Sequence, residues 1–379
     1  MIKRISEVEA ISEQSLVRTF CRLASIPSPS GMELDVGRHI LSLLEADGIN
    51  AGFDDSGKRT GSNSGNLIAR IEGAGRHIMF IAHMDTVETG SEAVRPIVSN
   101  GKIYTDGSTI LGADNKSAIA ALLEAMHAMK GMKNMPGVTA VFSTGEEEGE
   151  MGAKHLDING IDYAFVIEGI GKPGIFVNKI LGHAQFEVEI MGRATHAAKE
   201  PEKGRNAIKA AALAISKFRL GRRSNGDTLN VGAISGGTFT NVVPAKAAFT
   251  GEVRSFNRLN MENMLRRTEA VVAECCRITH CKYAFKIKSN EIVDPFSVSQ
   301  RSRIFSIAKA AAKAGGMRFE AEKLYATTEA NVLAKKGVET ICMFGGGAAP
   351  HSVSESLLVE DMVRLKSLIV AVAKSANKY

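Results

Sequence analysis

The apolar positions of the chain fall into short runs separated by longer amphipathic segments. Apolar runs begin the stretches 77–85, 139–148 and 163–169, and they are short enough to be buried strands. Residues 115–130, which hold strong helix formers and end before Gly131, predict a helix between the first two runs. Because strands and helices alternate in this way, we expect a mostly parallel sheet with helices on both faces.

The pattern changes near Asn178. Residues 184–190 alternate apolar and polar side chains, which is typical of a half-buried strand. Two helices and three more strands follow, at 206–218, 228–235, 246–255, 260–277 and 282–288. Their order, β-α-β-β-α-β, is that of a ferredoxin-like α+β unit. From about residue 294 the first pattern returns, with helices at 301–314, 329–335 and 360–376 and strands near 318–324 and at 339–344.

A chain of 379 residues exceeds the size of most single cores, so this change of pattern predicts two domains. The fold class that we expect is α/β, with a larger, discontinuous domain formed by residues 1–178 and 294–379. An α+β domain of residues 179–293 would be inserted into it. Segments near 178–182 and 289–295 are the expected linkers, about which the two domains would close on a substrate.

Composition and charge narrow the classes of function. The net charge is +6, from 47 basic and 41 acidic residues, the basic clusters are short, and tryptophan is absent. We therefore expect no nucleic-acid partner. No apolar run reaches the ~18 residues that suggest a membrane-spanning helix, so no membrane association is expected. Acidic residues occupy the N-terminal helix where a signal peptide would be apolar, which favours a cytoplasmic protein.

The five cysteines are scattered, apart from Cys275, Cys276 and Cys281 beside His280. Because this spacing lacks paired CxxC units, reduced thiols are a better interpretation than a zinc site. Buried or reduced thiols are also what a cytosolic protein normally contains.

Metal-capable side chains follow the ends of the predicted parallel strands. They are His83 and Asp85, then Glu146, Glu147 and Glu148, then Glu168, and finally His351 after a glycine-rich loop. Asp114 stands at the start of the predicted helix. In open α/β sheets ligands bind just beyond the carboxyl ends of the strands, so we expect these side chains to meet at one edge. Two histidines among several carboxylates predict a two-metal hydrolytic site.

Each residue has a simpler explanation when it is taken alone. A histidine at a strand end is often a core residue, adjacent glutamates are usually solvated, and Asp114 is well placed as the N-cap of its helix. The occurrence of all these ligand types next to strand ends in one chain favours a shared site instead. In such a site Asp114 is the expected bridge, with His83 and Glu168 on one ion and Glu147 and His351 on the other.

The chain resembles the M20 family of zinc peptidases, and within it the peptidase T-like (tripeptide aminopeptidase) branch. Six motifs carry the resemblance, in the family's order and over nearly the whole chain: IAHMDTV (81–87), ILGADNKSAIAALLEA (110–125), FSTGEEEGEMGAK (142–154), THAAKEPEKGRNAI (195–208), GGTFTNVVPAKAAFTGEVRS (236–255) and PHSVSE (350–355). One departure is Glu168, where many peptidase T-like sequences have Asp. Glutamate occurs there elsewhere in the family, so the expectation of metal binding stands.

The resemblance implies a role for each candidate residue. The implied metal ligands are His83, Asp114, Glu147, Glu168 and His351. Glu146 is the implied general base, and Asp85 the implied partner of His83. In the inserted domain, the resemblance implies that His196 polarises the scissile carbonyl, often from the partner subunit of a dimer. It also implies that Asn241 binds substrate and that Arg254 grips a substrate carboxylate, although each of these three could equally be a surface residue.

We therefore expect a cytoplasmic, dinuclear metal-dependent exopeptidase that hydrolyses short peptides, and a tripeptide aminopeptidase in particular. Its cofactors would be two divalent ions per chain, zinc first, with cobalt or manganese also fitting the ligands. It would form a homodimer through the inserted dimerisation (lid) domain, whose sheet offers an edge strand. Two alternatives remain open: another M20-type amidohydrolase (carboxypeptidase, dipeptidase or N-acyl amino acid deacylase), or a catalytically silent binding protein on the same scaffold.

Overall fold

The computed structural model describes residues 2–87, 93–288 and 292–379, with side chains from residue 13 onward. The chain divides into two compact units. The first comprises Met1–Asn178, Val298–Lys323 and Thr328–Tyr379, and the second comprises Lys179–Ser297 and Leu324–Thr327. Of the second linker expected from the sequence, residues 289–291 lie outside the described residues.

The elements follow one another in three stretches. The N-terminal stretch contains α1 (Ile2–Ala24), α2 (Leu34–Ala46), β1 (Asn50–Phe53), α3 (Gly57–Thr60), β2 (Leu67–Ile71), β3 (His77–His83), β4 (Ile97–Ser99), β5 (Lys102–Tyr104), α4 (Ala113–Met129), β6 (Gly137–Ser143), α5 (Met151–His155), β7 (Tyr163–Ile170) and β8 (Ile175–Ile180). The middle stretch contains β9 (Gly182–Met191), α6 (Ala207–Lys217), β10 (Gly221–Arg222), β11 (Thr228–Gly236), β12 (Lys246–Ser255), α7 (Arg258–Ile278), β13 (Lys282–Ile287) and β14 (Phe296–Ser297). The C-terminal stretch contains α8 (Arg303–Ala314), β15 (Glu320–Leu324), α9 (Glu329–Lys335), β16 (Glu339–Ala348), β17 (Ser356–Leu358) and α10 (Val359–Ala376).

The centre of the first unit is a parallel sheet in the order β6-β3-β7-β16. His83 at the end of β3 lies beside Ser143 at the end of β6, and Phe344 of β16 lies beside Glu168 of β7. The carboxyl ends of the four parallel strands therefore meet at one edge. Antiparallel strands flank this centre, with β2 and β1 beyond β6, and β17, β5 and β4 beyond β16.

Buried apolar side chains hold this sheet against helix α4. Every residue of β6, and all but the first of β3, is buried, which explains why these strands read as nearly continuous apolar runs. Helix α4 is buried over most of its length and packs against α1, α10, β3 and β7. The small side chains of Ala118, Ala121 and Ala125, all fully buried, let these neighbours approach closely. A larger side chain there would cost about 1–3 kcal/mol through overpacking.

The second unit is an antiparallel sheet in the order β10-β11-β12-β9-β13, with α6 and α7 packed on it. Strands β9 and β12 form its centre and pair from Gly182↔Ser255 to Met191↔Lys246. The core between the sheet and the helices includes Phe186, which stacks on Phe285 with ring centroids 5.3 Å apart. Without the two-residue strand β10, the order of elements is the β-α-β-β-α-β of a ferredoxin-like unit.

The predicted fold class is therefore confirmed: a mostly parallel α/β sheet with helices, joined to a ferredoxin-like α+β unit. The sequence did not predict the short strands β4, β5, β8, β10, β14 and β17. It was also wrong that Asp114 is well placed as the N-cap of α4. The N-cap is Gly112, with φ of 71°, and Asp114 lies in the first turn with non-helical angles of −84° and 103°, followed by a cis peptide bond.

Two further observations concern membrane-spanning helices and cysteines, about which the composition gave expectations. Among the described residues, no helix combines the length and the apolar character that a membrane crossing requires. All five cysteines lie in the described part of the chain and are free thiols. Cys275 and Cys276 belong to the apolar core of the second unit, where burial raises the pKa of both thiols and keeps them in the unreactive thiol form.

Candidate metal centre

The strand ends of the first unit bring the five predicted metal ligands together. They fall into two groups, and within each group the ligand atoms lie within 4.8 Å of one another. The members are His83, Asp114 and Glu168 in the first group, and Asp114, Glu147 and His351 in the second. A third group, formed by His83, Glu146 and Glu147, overlaps both. Asp114 is thus the one residue that the first two groups share.

His83 presents its outer ring nitrogen to this cluster. Its Nδ1 lies 3.0 Å from the backbone oxygen of Asp85, so the Nδ1–H donates to that carbonyl. In the neutral ring Nε2 then carries the lone pair, and it lies 3.4 Å from Oδ1 of Asp114. This is the tautomer that a metal-binding imidazole uses when a second group orients it. Burial alone would lower the pKa of His83, but Asp114 and Asp85 raise it well above its usual value.

Two carboxylate oxygens in the cluster are buried and have no hydrogen-bond partner among the described residues. They are Oδ1 of Asp114 and Oε1 of Glu168, and their side chains are almost fully buried. A buried anionic oxygen without a partner is costly, and a bound cation removes that cost. The observation therefore fits a metal that His83, Asp114 and Glu168 would hold.

His351 and Glu147 form the outer side of the cluster. Nε2 of His351 lies 2.8 Å from Oε1 of Glu147 and 3.6 Å from Oδ2 of Asp114. Asp114 and Glu147 together raise the pKa of His351 to about 10. A histidine so placed among carboxylates is protonated in the absence of a cation, and the proton stands where a metal ion would bind.

The negative charge of the cluster is too dense to be stable by itself. Burial, followed by the neighbouring Glu168 and Glu147, raises the pKa of Glu146 well above its usual value. Burial and Asp114 do the same to the pKa of Glu168. Divalent cations would reverse both effects because they stabilise the ionised carboxylates. The donor set of imidazole nitrogen and carboxylate oxygen is one that zinc and its first-row neighbours accept.

The loop after β6 is held by a row of buried acceptors that we call the amide frame. Four consecutive backbone N–H groups, from Thr144 to Glu147, each donate to a side chain. Thr144 N donates to Oδ1 of Asn66 (3.2 Å), Gly145 N to Oε1 of Glu33 (3.0 Å), and Glu146 N and Glu147 N to the two carboxylate oxygens of Asp85 (3.1 and 3.0 Å). Ser30 Oγ also donates to Asp85, at 2.6 Å. The amide frame therefore fixes the position of Glu146 and Glu147.

The sequence did not predict that several charged residues near the cluster are buried. Glu33 lies just after the segment read as a turn, Glu329 reads as an ordinary acid in the first turn of α9, and Lys116 reads as a helix surface residue. All three are almost fully buried. Lys116 Nζ donates to the backbone oxygen of Ile26 at 2.6 Å, and burial lowers its pKa to about 7 against the opposing effect of Glu355. Only their long-range contacts reveal these residues, so no local pattern could have found them.

The three predicted substrate residues lie in the second unit. His196 and Asn241 are neighbours, since Ala197 N donates to the backbone oxygen of Asn241 at 2.9 Å, and both side chains are exposed. Ala198 N donates to Nδ1 of His196 at 3.2 Å. Arg254 lies on β12 and donates from Nε and Nη2 to Glu252, at 2.8 and 3.1 Å.

The parallel fold and this cluster are those of a metal-dependent hydrolase. The chain belongs to peptidase family M20/M25/M40, whose profile matches residues 79–375. It is therefore a metallopeptidase, as the sequence predicted, and the resemblance to the M20 family and its peptidase T-like branch is confirmed.

Three similar proteins extend this result over almost the whole chain. Uncharacterized protein YqjE of Bacillus subtilis (strain 168) is 33% identical over 374 residues, which cover 97% of this chain and 100% of the relative. The crystal structure of aminopeptidase PepT from Bacillus cereus ATCC 10987 has a TM-score of 0.89 and 29% identity, covering 96% of this chain and 98% of its own. A tripeptidase structure from Staphylococcus aureus has a TM-score of 0.90 and 26% identity, covering 97% and 99%.

Proposed function

We propose that this chain is a dinuclear aminopeptidase that removes the N-terminal residue of short peptides, tripeptides in particular. The observation that carries the proposal is that two ligand groups share Asp114, one with His83 and Glu168 and the other with Glu147 and His351. Pairs of cations about 3.5–4 Å apart recur in hydrolytic enzymes, including aminopeptidases. Zinc suits the ligands best, and cobalt or manganese would also fit.

The similar structures support the choice of substrate. The Bacillus cereus protein is described as an aminopeptidase and the Staphylococcus aureus protein as a tripeptidase. Each covers nearly the whole of this chain, and this includes the unit that contains His196, Asn241 and Arg254. Similarity over both units favours a shared substrate class more than similarity over the metal-binding unit alone would.

The residues of the first unit would carry out the proton transfers. Two bound cations would supply Lewis acidity, which polarises the scissile carbonyl and makes water more acidic. Glu146 would accept the proton of the attacking water and deliver it to the leaving amine. Asp85 would hold Glu146 in place, since it accepts the backbone N–H groups of Glu146 and Glu147.

The residues of the second unit would bind the peptide. Because Nδ1 of His196 accepts a hydrogen bond from Ala198 N, the neutral ring carries its proton on Nε2. That N–H would donate to the oxyanion that forms from the scissile carbonyl. Glu252 binds the Nε and Nη2 side of Arg254, and the contact with the peptide's carboxylate would use Nη1. Asn241, beside His196, would bind the peptide backbone.

We also propose that the chain works as a homodimer through the second unit. Strand β13 ends the order of paired strands in that sheet, and an edge strand with unpaired backbone groups is available for pairing with another copy. In such a dimer His196 would serve the active site of the partner subunit. Sedimentation velocity of the metal-loaded protein would measure the oligomeric state, and a monomer at the concentrations used for activity would reject this part of the proposal.

The variant Glu146→Gln tests the role of the base. Glutamine keeps the size of the side chain but cannot accept the proton, so we expect kcat to fall by about 10²–10⁴-fold with a parental metal content. Glu148→Gln is the matched control, because Glu148 is the exposed neighbour in the same loop, and it should keep the parental rate. A parental kcat for the Glu146 variant would reject this role for Glu146.

A panel of substrates tests the specificity. Free tripeptides, N-blocked tripeptides and N-acylated amino acids would be compared by kcat/KM on the metal-loaded protein. We expect the free tripeptides to be preferred. Preference for the blocked peptides would indicate a carboxypeptidase or deacylase instead, and a metal-loaded chain that hydrolyses none of the panel would point to a catalytically silent binding protein.

A further inference from the structure

One buried carboxylate, that of Glu355, accepts three backbone hydrogen bonds from the segment that carries Asp114. Its Oε2 accepts from Leu111 N at 2.9 Å and from Gly112 N at 2.7 Å, and its Oε1 accepts from Asp114 N at 3.0 Å. The side chain of Glu355 is almost fully buried. Both carboxylate oxygens are therefore engaged by donors that belong to the main chain and cannot rotate away.

One of these hydrogen bonds, from Asp114 N in the first turn of α4, does the work that an N-cap side chain does in other helices, and the other two hold the main chain just before the helix. The first N–H groups of a helix have no partner within the helix, and a side chain just before it usually accepts them. Here the N-cap is Gly112, which has no side chain, and the acceptor comes from a residue more than 240 positions away in the sequence. The negative charge of Glu355 also suits the positive end of the helix dipole.

Glu355 connects the ligands of the two groups. It lies four residues after His351 and directly before β17, and Glu355 N donates to the backbone oxygen of Ser352 at 3.0 Å. Through its side chain it holds Asp114, and through its main chain it belongs to the turn that presents His351. The two segments also meet directly at the ligands themselves, since Nε2 of His351 lies 3.6 Å from Oδ2 of Asp114.

We propose that Glu355 is a positioning residue that sets the place of Asp114 relative to His351 and so allows both cations to bind. The proposal rests on the proposed function in one respect, which is that Asp114 and His351 are metal ligands. Glu355 itself would touch neither the cations nor the peptide. Its action would be to keep the main chain at 111–114 in the conformation that turns the carboxylate of Asp114 toward both groups.

Because both oxygens of Glu355 accept main-chain hydrogen bonds, replacing it with glutamine, which has the same shape, tests the proposal. In Glu355→Gln, one oxygen becomes an NH2 group, and that group must face a backbone N–H. The side chain can keep its two bonds to Leu111 and Gly112, and it then loses the bond to Asp114. At Glu33 the same substitution can keep every hydrogen bond of the side chain. Oε1 accepts from the main-chain N–H groups of both Gly31 and Gly145. Oε2 faces the hydroxyl of Ser62, which can turn and accept a hydrogen bond from the new NH2 group.

The first experiment measures backbone hydrogen exchange in the metal-free protein. In Glu355→Gln we expect the amide of Asp114 to exchange at least about 10-fold faster, while the amides of β3 keep the parental rate. Glu33→Gln should keep the parental exchange at Gly145. Glu360→Gln, at an exposed position five residues further on, is the control for the loss of one charge and should change nothing in this segment.

The second experiment measures zinc binding by competition with a chromophoric chelator. We expect Glu355→Gln to weaken zinc binding by about 10- to 100-fold, the range seen when residues that orient metal ligands are changed. Glu355→Asp keeps the charge and both oxygens, and we expect it to bind zinc more tightly than the glutamine variant. If Glu355→Gln does not fold, Glu355→Asp provides the same comparison of exchange and zinc affinity with the parent.

Parental exchange at Asp114 together with parental zinc affinity, in whichever of these variants folds, would overturn the proposal. So would faster exchange in β3 to the same extent as at Asp114, because that would show a global loss of stability. The outcome is separate from the peptidase proposal. A chain that loses zinc as expected but hydrolyses no peptide keeps Glu355 as a positioning residue and rejects only the proposed function.

Discussion

Replacing Glu329 with glutamine should make the metal-free protein more stable at neutral pH and leave its stability unchanged in acid. Glu329 opens helix α9 and is almost fully buried. Its Oε1 has no hydrogen-bond partner among the described residues. Burial raises the pKa of Glu329 from 4.5 to about 7, against the opposing effects of Ser143 and His83. Glutamine resembles the protonated carboxyl in size and is never ionised.

The magnitude follows from the shift in the pKa of Glu329. The difference between about 7 in the folded chain and 4.5 in the unfolded chain is about 2.5 units, which corresponds to about 3 kcal/mol at 1.36 kcal/mol per unit. Because the folded chain binds the proton more tightly, the parent loses this stability as the pH rises from about 4.5 to about 7. Above pH 7 the loss is complete, and below pH 4.5 it is absent.

The assay is urea unfolding of chelator-treated protein, followed by circular dichroism at pH 4 and pH 8. We expect Glu329→Gln and the parent to have similar free energies of unfolding at pH 4, and the variant to be about 3 kcal/mol more stable at pH 8. Glu360→Gln, at an exposed site, controls for the removal of a charge and should show no such dependence on pH. Saturating zinc should shrink the difference at pH 8, because nearby cations stabilise the ionised Glu329.

A difference between Glu329→Gln and the parent that is the same at both pH values, within about 0.5 kcal/mol, would refute this reasoning. It would mean that Glu329 is ionised at no cost in the metal-free protein. A variant that is less stable than the parent at pH 8 would refute it more strongly, since the contacts of the ionised carboxylate with Ser143 and His83 would then outweigh the cost of its burial.

Two further predictions concern individual contacts of the proposed enzyme. His351→Ala should reduce the metal content from two ions to about one per chain by elemental analysis, because His83, Asp114 and Glu168 form a group without it; a chain that still holds two ions would contradict the role of His351. Arg254→Lys should raise KM for free tripeptides by about 10-fold, since lysine lacks the planar fork that binds a carboxylate, and should leave KM for tripeptide amides unchanged. Equal effects on both substrates would contradict a contact with the carboxylate.

The sequence predicted the parallel centre of the first unit well because its strands are buried on both faces. Such strands read as continuous apolar runs, and the residue that ends the run marks the edge of the sheet. The edge strands gave no comparable signal. Strand β4 exposes Ile97 and Val98, and both β4 and β5 have only three residues, so their pairing depends on neighbours that are distant in the sequence. The predicted N-cap at Asp114 was wrong for a similar reason, since Glu355 supplies the acceptor.

The candidate metal ligands could be predicted because each of them ends or follows a recognisable element. The residues that hold those ligands in place could not. Glu33, Glu329 and Glu355 are single acids in ordinary local surroundings, and each becomes informative only through contacts with segments far along the chain. Glu355 lies in the motif PHSVSE that carried the resemblance, but nothing in the motif shows that its carboxylate reaches the start of α4.

The amide frame has a consequence for how this enzyme can be altered. Two of its acceptors, Glu33 and Asn66, lie before residue 79, where the match to the peptidase family begins. Transplanting residues 144–147 into a relative would therefore transfer the sequence of the loop without Glu33 and Asn66, which accept hydrogen bonds from its main chain. Chimeras that exchange the N-terminal residues together with the loop should keep their rate.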